Sequence, residues 1–105
     1  LQPLRPAVLW ADGRSTVEAA ALQADLGTAE LSRLGSPAVT GFAATTLAWL
    51  RTHEPEVMAR AAYVLQPKDW LRAVLGGGLG TDPSDASGTL LYDVVDGRWS
   101  TTMLA

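Results

Sequence analysis

One hundred and five residues, 48% of them apolar and 18% charged, suffice for one small domain with a core and exclude a disordered chain. A net charge of −3 with scattered basic residues excludes the electropositive face that nucleic acid or an anionic membrane surface would need. There is no cysteine for a disulfide or a thiolate site, and no apolar run approaches the ~20 residues of a membrane span.

In chain order, Leu1–Leu9 reads as a strand broken by Pro3 and Pro6, and Ala7–Trp10 as its apolar end, stopped by Asp12-Gly13. Ser15 with Glu18 three residues on spells a capping box and predicts a helix ending at Gly27. Thr28 then caps a second short helix, with Leu31 and Leu34 on one side and Gly35 as its stop. After Ser36-Pro37 a helix is predicted from about Gly41 to His53, with Thr46, Trp49, Leu50 and His53 sharing a face. Glu54-Pro55 breaks and restarts it, because proline is accepted at a first helical position, and Val57, Met58 and Ala61 line the short helix that follows. Ala62–Leu65 fits a buried strand, although four residues also fit a helix. Pro67 opens a helix with Trp70, Leu71, Val74 and Leu75 as its apolar face and Lys68, Asp69 and Arg72 as its polar one. The glycines at 76, 77, 78 and 80 end it.

The next stretch, TDPSDASGTLLYDV, holds turn, cap and strand signals together. Pro83 fixes its own φ, and Ser84, Asp85 and Ser87 can bond nearby backbone N–H groups, so SDASG reads as a capped single turn. Thr89–Val94 reads as a short strand with Leu90 and Tyr92 on one face and Leu91 on the other, ended by Asp96-Gly97. Ser100 is a good N-cap for a final turn. Helices outnumber strands, and short strands spaced this far apart cannot complete a sheet. The fold class expected is therefore α/β, a helix-rich α+β piece from the periphery of a larger domain. Leu1 and Ala105 read as cut ends, which makes 1–105 a single partial domain.

Few residues suggest chemistry on their own. Asp12 and Arg14 follow a predicted strand, where α/β proteins place ligand-contacting groups. Arg14 could donate to a polyol hydroxyl while Asp12 orients it, or the two could form an incidental surface ion pair. His53, the sole histidine, stands at a helix C-terminus with no further ligands at metal spacing, so no metal site is expected. The GGGLG run lacks the lysine and following helix of a phosphate-cradling loop. Asp82, Asp85, Asp93 and Asp96 lack the alternation of a calcium loop and read as turn and cap residues.

The order T-D-x-S-D-A-S-G-T, short strand, Trp99-Ser100 resembles the same passage in carbohydrate kinases of the FGGY family, most closely their xylulokinase branch. Trp10, Asp12 and Arg14 match the family's strand-W-x-D-x-R segment. Gly41, Phe42, Ala44, Leu47, Trp49, Leu50, His53, Glu54 and Pro55 match its signature helix. Thr45 and Thr46 stand where many members carry proline and lysine. Lys68 and Asp69 match P-K-D-x-L, and Asp82, Ser84, Asp85, Ser87 and Gly88 match the later motif.

The resemblance runs from about Leu4 to Leu104 and implies a cytoplasmic kinase that uses ATP and Mg2+ to phosphorylate the C5 hydroxyl of D-xylulose. The implied fold is two actin-like lobes with a ribonuclease-H-like core, this chain being an internal segment of the N-terminal lobe. Asp12 and Arg14 are then implied to lie against the sugar. Gly41 stands where glycerol kinases carry a substrate-contacting tyrosine, and so would leave room for a longer sugar. Arg33 resembles, one residue displaced, an arginine that reaches the sugar in some members. Trp10, Phe42, Trp49, Lys68, Asp69 and the SDASG residues are implied to be structural. The family's D-x-G-T loop, its Q-x-H-G segment and its G-G-x-D-N stretch with the general base are absent, so the segment alone should hold neither ATP nor metal and no catalytic residue. Its partners would be the sugar and the remainder of the kinase chain, in a parent that admits a homodimer, with no nucleic acid and no membrane. Two rivals are another pentulose or polyol kinase of the family and a non-catalytic helical module offering Trp49, Trp70 and Trp99 to a partner.

Overall fold

The computed structural model describes residues 1–105. Six helices and one hairpin follow in order: α1 (Thr16–Leu34), α2 (Ala43–His53), α3 (Pro55–Arg60), α4 (Pro67–Val74), α5 (Pro83–Ser87), β1 (Tyr92–Asp93), β2 (Arg98–Trp99) and α6 (Thr101–Leu104).

The two helices expected on either side of Gly27 are both present and follow one another without a spacer as a kinked pair, together α1, broken at that glycine, whose φ of 71° and ψ of 173° leave the helical region. Thr28 does not cap a new helix; its carbonyl accepts a hydrogen bond from the Ser32 hydroxyl at 2.8 Å. The expected capping box is also not made. Ser15 has φ −91° and ψ 29°, outside the extended region from which an N-cap hydroxyl reaches back to the helix, and its buried Oγ has no partner. At the other end Gly35 adopts the left-handed conformation and stops α1 as expected, its N–H bonded to the Ser32 carbonyl.

Leu31, Leu34, Ala38, Ala44 and Leu90 form the core, with Leu22, Leu26, Phe42, Leu91 and Met103 packed against it. Leu90 is 0% exposed and has a φ of 61°, so the strand expected over Thr89–Val94 shrinks to Tyr92–Asp93. The cause is local: the Thr89 hydroxyl donates to the Ala86 carbonyl and accepts from the Leu91 N–H, winding the chain into a turn where a strand would run straight. The hairpin pairs Tyr92 with Trp99 and Asp93 with Arg98, turning through Gly97, and the two aromatic rings meet edge to face at 5.7 Å. Ser100 caps α6 as expected, accepting from the Met103 N–H.

Two predicted strands are not formed. Leu1–Trp10 and Ala62–Leu65 contain no strand, and neither has a neighbour to pair with. Ala62–Leu65, expected to be buried, exposes Tyr63 and Val64. In α4 the expected burial is inverted: Trp70, Leu71, Val74 and Leu75 are exposed, and Asp69, at 3%, is the buried residue. The architecture is thus helix-rich with very little sheet, and broad apolar faces stand open.

Candidate functional site

Two clusters hold most of the residues singled out above. The first begins where the chain turns before α1, with the Asp12 N–H bonded to the Leu9 carbonyl at 3.0 Å. The Asp12 carboxylate accepts from the Arg14 backbone N–H at 2.9 Å, from Nε at 2.9 Å and from Nη2 at 2.8 Å. This two-pronged bond fixes the guanidinium in one plane. The Arg14 hydrogen bonds hold the Asp12 carboxyl at about 2, well below its ordinary range, and Asp12 in turn raises Arg14. Nη1 is left without a partner, so the fork keeps donors for an outside acceptor.

Beside it lies Trp49, whose ring centroid is 4.9 Å from the Arg14 Cζ. His53, one turn on, stacks on the same indole at 4.4 Å and 10°, and its Nδ1 donates to the Trp49 carbonyl at 2.9 Å. The i, i+4 spacing makes the Trp49–His53 stack visible in sequence; nothing there connects it to Arg14.

Gly41 meets this turn from below. Its φ is 88°, and a Cβ placed on it would lie 2.0 Å from the Trp10 carbonyl oxygen. The space left by the missing side chain is therefore taken by the Trp10 backbone, which corrects the idea that it stands open for a longer sugar. The start of α2 is tied down as well. Buried Thr45, in place of the family's proline, has its hydroxyl within reach of the Phe42 and Val39 carbonyls, and the Ala44 N–H donates to the Thr89 carbonyl at 3.0 Å. Trp10, the Gly41 region and Gly88 all border one cavity of about 840 Å³, whose remaining lining comes from the first eight residues, α2, α3 and the approach to α4. That lining is mostly hydrophobic and includes neither Asp12 nor Arg14, so it does not suit a polyol. Arg5, on its rim, makes a two-pronged bond to Glu54 at 2.7 and 3.2 Å, a role for the signature glutamate that sequence reasoning missed.

The second cluster centres on Lys68. Its Nζ lies 2.6 Å from Asp69, 2.8 Å from Asp82 and 3.3 Å from Asp85. The PKD and TDPSDASG motifs therefore meet on one ammonium. Asp69 and then Asp82 hold Lys68 above the ordinary lysine range. Lys68 and then the Asp85 N–H hold Asp82 below the carboxylate range. Burial pushes Asp69 up, and its bonds to Lys68 and Thr81 outweigh that push, leaving it lowered. Asp82 also caps α5 by accepting from the Asp85 N–H at 3.0 Å, and the Ser87 hydroxyl donates to the Ser84 carbonyl at 2.6 Å. The cluster is saturated internally. It ties α4 to α5 through Lys68, with no donor set arranged for a metal ion.

Arg33 belongs to neither cluster. Its Nη2 lies 2.6 Å from Asp93 and 2.7 Å from Asp96, which ties the end of α1 to the hairpin, and it shares no bond with the Asp12–Arg14 turn. No helix is long and apolar enough to cross a membrane.

Residues 1–105 match the model of the FGGY family of carbohydrate kinases, N-terminal domain. The chain belongs to this family. It is 44% identical over its whole length to the xylulose kinase of Klebsiella pneumoniae and 42% identical over 96% of its length to that of Escherichia coli K12. Of those relatives it covers only 22% and 21%, so it spans about a fifth of their length. The crystal structure of a xyloylose kinase from Brucella ovis superposes with a TM-score of 0.89 at 42% identity, covering 96% of this chain and 20% of that one. A xylulose kinase from Bifidobacterium adolescentis gives 0.82 at 28%, covering 95% and 26%. The fold is accordingly that of a portion of an FGGY sugar kinase, and the scarcity of sheet fits a portion.

Proposed function

We propose that this segment forms one wall of the sugar site in a D-xylulose kinase, which transfers the γ-phosphoryl group of ATP to the C5 hydroxyl of D-xylulose and releases ADP. The observation that carries the reading is Arg14, pinned by Asp12 along one edge and left with free donors at Nη1. A guanidinium held in this way recognises a hydroxyl oxygen at a set angle and loses little freedom on doing so. Identity to xylulose kinases along the whole chain supports a pentulose as substrate. Gly41 contributes by letting the Trp10–Arg14 turn settle on α2, and Lys68 by holding the two later motifs together. Arg33, already bound to two carboxylates, is a weaker sugar contact than Arg14.

MgATP does not fit the residues of this segment. The clustered carboxylates are taken up by Lys68, and the glycine run follows a helix and is folded back on Arg72, which donates to the carbonyls of Gly77 and Gly80. Phosphoryl transfer depends on positioned phosphate, metal and nucleophile, so those anchors belong to the rest of the kinase, in the ribonuclease-H-like lobe and its partner lobe. The setting is cytoplasmic. The interaction-module alternative has no observation in its favour, because open apolar faces at Trp10, Trp70 and Trp99 also follow from missing neighbours.

The test is ADP formation by the full-length protein carrying this segment, with D-xylulose, other pentuloses and glycerol as acceptors. Turnover should be greatest with D-xylulose; a preference for glycerol, or no turnover with any sugar, would overturn the proposal. Calorimetry on the 105-residue chain should show no ATP binding and at most millimolar sugar binding, and micromolar ATP affinity would contradict this division of labour within the kinase.

A further inference from the structure

Asp12 restrains Arg14 only within the plane of the guanidinium: both prongs of the fork lie along one edge, and rotation out of that plane is opposed by nothing polar. Trp49 supplies the missing restraint. Its ring lies 4.9 Å from the Arg14 Cζ, on a half-buried side chain of α2 anchored by the neighbouring buried Leu50. The indole is itself steadied, since His53 stacks on it at 4.4 Å and bonds back to the Trp49 carbonyl. A cation over an indole is attracted by the negative face of the ring, and the attraction falls as the guanidinium tips away.

We propose that Trp49, with His53 stacked on it, is a positioning residue for Arg14, holding the guanidinium plane so that the unpartnered Nη1 meets a sugar hydroxyl at a fixed angle. The proposal rests on Arg14 being a sugar contact. Trp49 does not touch substrate and acts through Arg14 alone.

The test is a double-mutant cycle in the full-length kinase, reading KM for D-xylulose and KM for ATP separately. Trp49→Leu should raise the sugar KM roughly 3–10-fold and leave the ATP KM unchanged, as loss of a partly desolvated cation–π contact implies. Trp49→Phe, which keeps a ring face, should stay within about 2-fold of wild type. In an Arg14→Ala background Trp49→Leu should add nothing. An equal rise in both backgrounds would mean that Trp49 supports only the fold, and no rise beside intact Arg14 would remove it from the site; either overturns the proposal. If Arg14→Ala alone leaves the sugar KM unchanged, the reading of Arg14 itself falls, and the proposal with it, by a result distinct from the other two. Should Trp49→Leu be too unstable to assay, Trp49→Met against Trp49→Phe makes the same comparison, with the thermal midpoint as the folding control.

Discussion

Replacing Gly41 with alanine places a methyl group where the structure has none to spare. The added Cβ would stand 2.0 Å from the Trp10 carbonyl oxygen, and contacts of this kind do not occur below 3.0 Å, so the turn or the start of α2 must retreat by about 1 Å. The backbone at φ 88° adds a further cost, about 1–2 kcal/mol for an L-residue in the left-handed region. Together these predict a loss of about 2–3 kcal/mol in urea unfolding, beyond the few tenths that alanine returns by restricting the unfolded chain. The same displacement moves Arg14, two residues beyond Asp12 on the turn, and a 1 Å misplacement of a substrate-positioning group can cost on the order of 100-fold in rate. Gly41→Ala should therefore lower kcat/KM for D-xylulose about 10- to 100-fold in the full-length kinase. Gly35→Ala is the control. It shares the positive φ, 74°, but its methyl would meet only the Val94 side chain at 3.2 Å, so it should lose stability and keep its kcat/KM. Wild-type stability and kcat/KM in Gly41→Ala, or equal kinetic losses in both variants, would refute the reasoning.

Three further outcomes follow from the packing and the charges. The Asp12 carboxyl, followed by carbon-detected NMR, should titrate at about 2 and return towards 3.8 in Arg14→Ala; because its folded pKa is lowered, its contribution is present above about 3.8 and fades as pH falls towards 2. Lys68→Met should lower stability at pH 7 and flatten its loss as pH falls below about 4, since the depressed Asp69 and Asp82 lose their shared cation; urea unfolding at pH 7 and pH 3 checks this. Leu90→Ala should cost about 2–4 kcal/mol in urea unfolding, because it empties a fully buried position among Leu31, Leu34 and Ala44.

What the sequence revealed was local. Gly35, Glu54-Pro55, Pro67, Asp82, Asp96-Gly97 and Ser100 stop, break, start, cap or turn the chain through groups a few residues away, and each acts at its predicted place. Apart from the local cap at Ser15 and the turn at Leu90, the errors fall where a distant neighbour decides. Ala62–Leu65 and Leu1–Trp10 have strand composition but no partner to pair with, and the apolar side of α4 faces outward for want of a layer to cover it. Leu90 leaves its predicted strand because a hydroxyl one residue earlier outweighs strand propensity. At the site, Asp12 and Arg14 are legible because the pair closes over two residues. The stacking of Trp49 on Arg14, the Trp10 carbonyl against Gly41 and the meeting of Lys68 with Asp82 join segments far apart in the chain, and no spacing rule announces them.

The central claim, that this segment presents Arg14 to the sugar, is tested most directly by steady-state kinetics of Arg14→Ala in the full-length kinase. Loss of a charged hydrogen bond predicts a fall of roughly 10- to 100-fold in kcat/KM for D-xylulose, with the KM for ATP unchanged. An unaltered kcat/KM for the sugar, or an equal loss towards ATP, would contradict it.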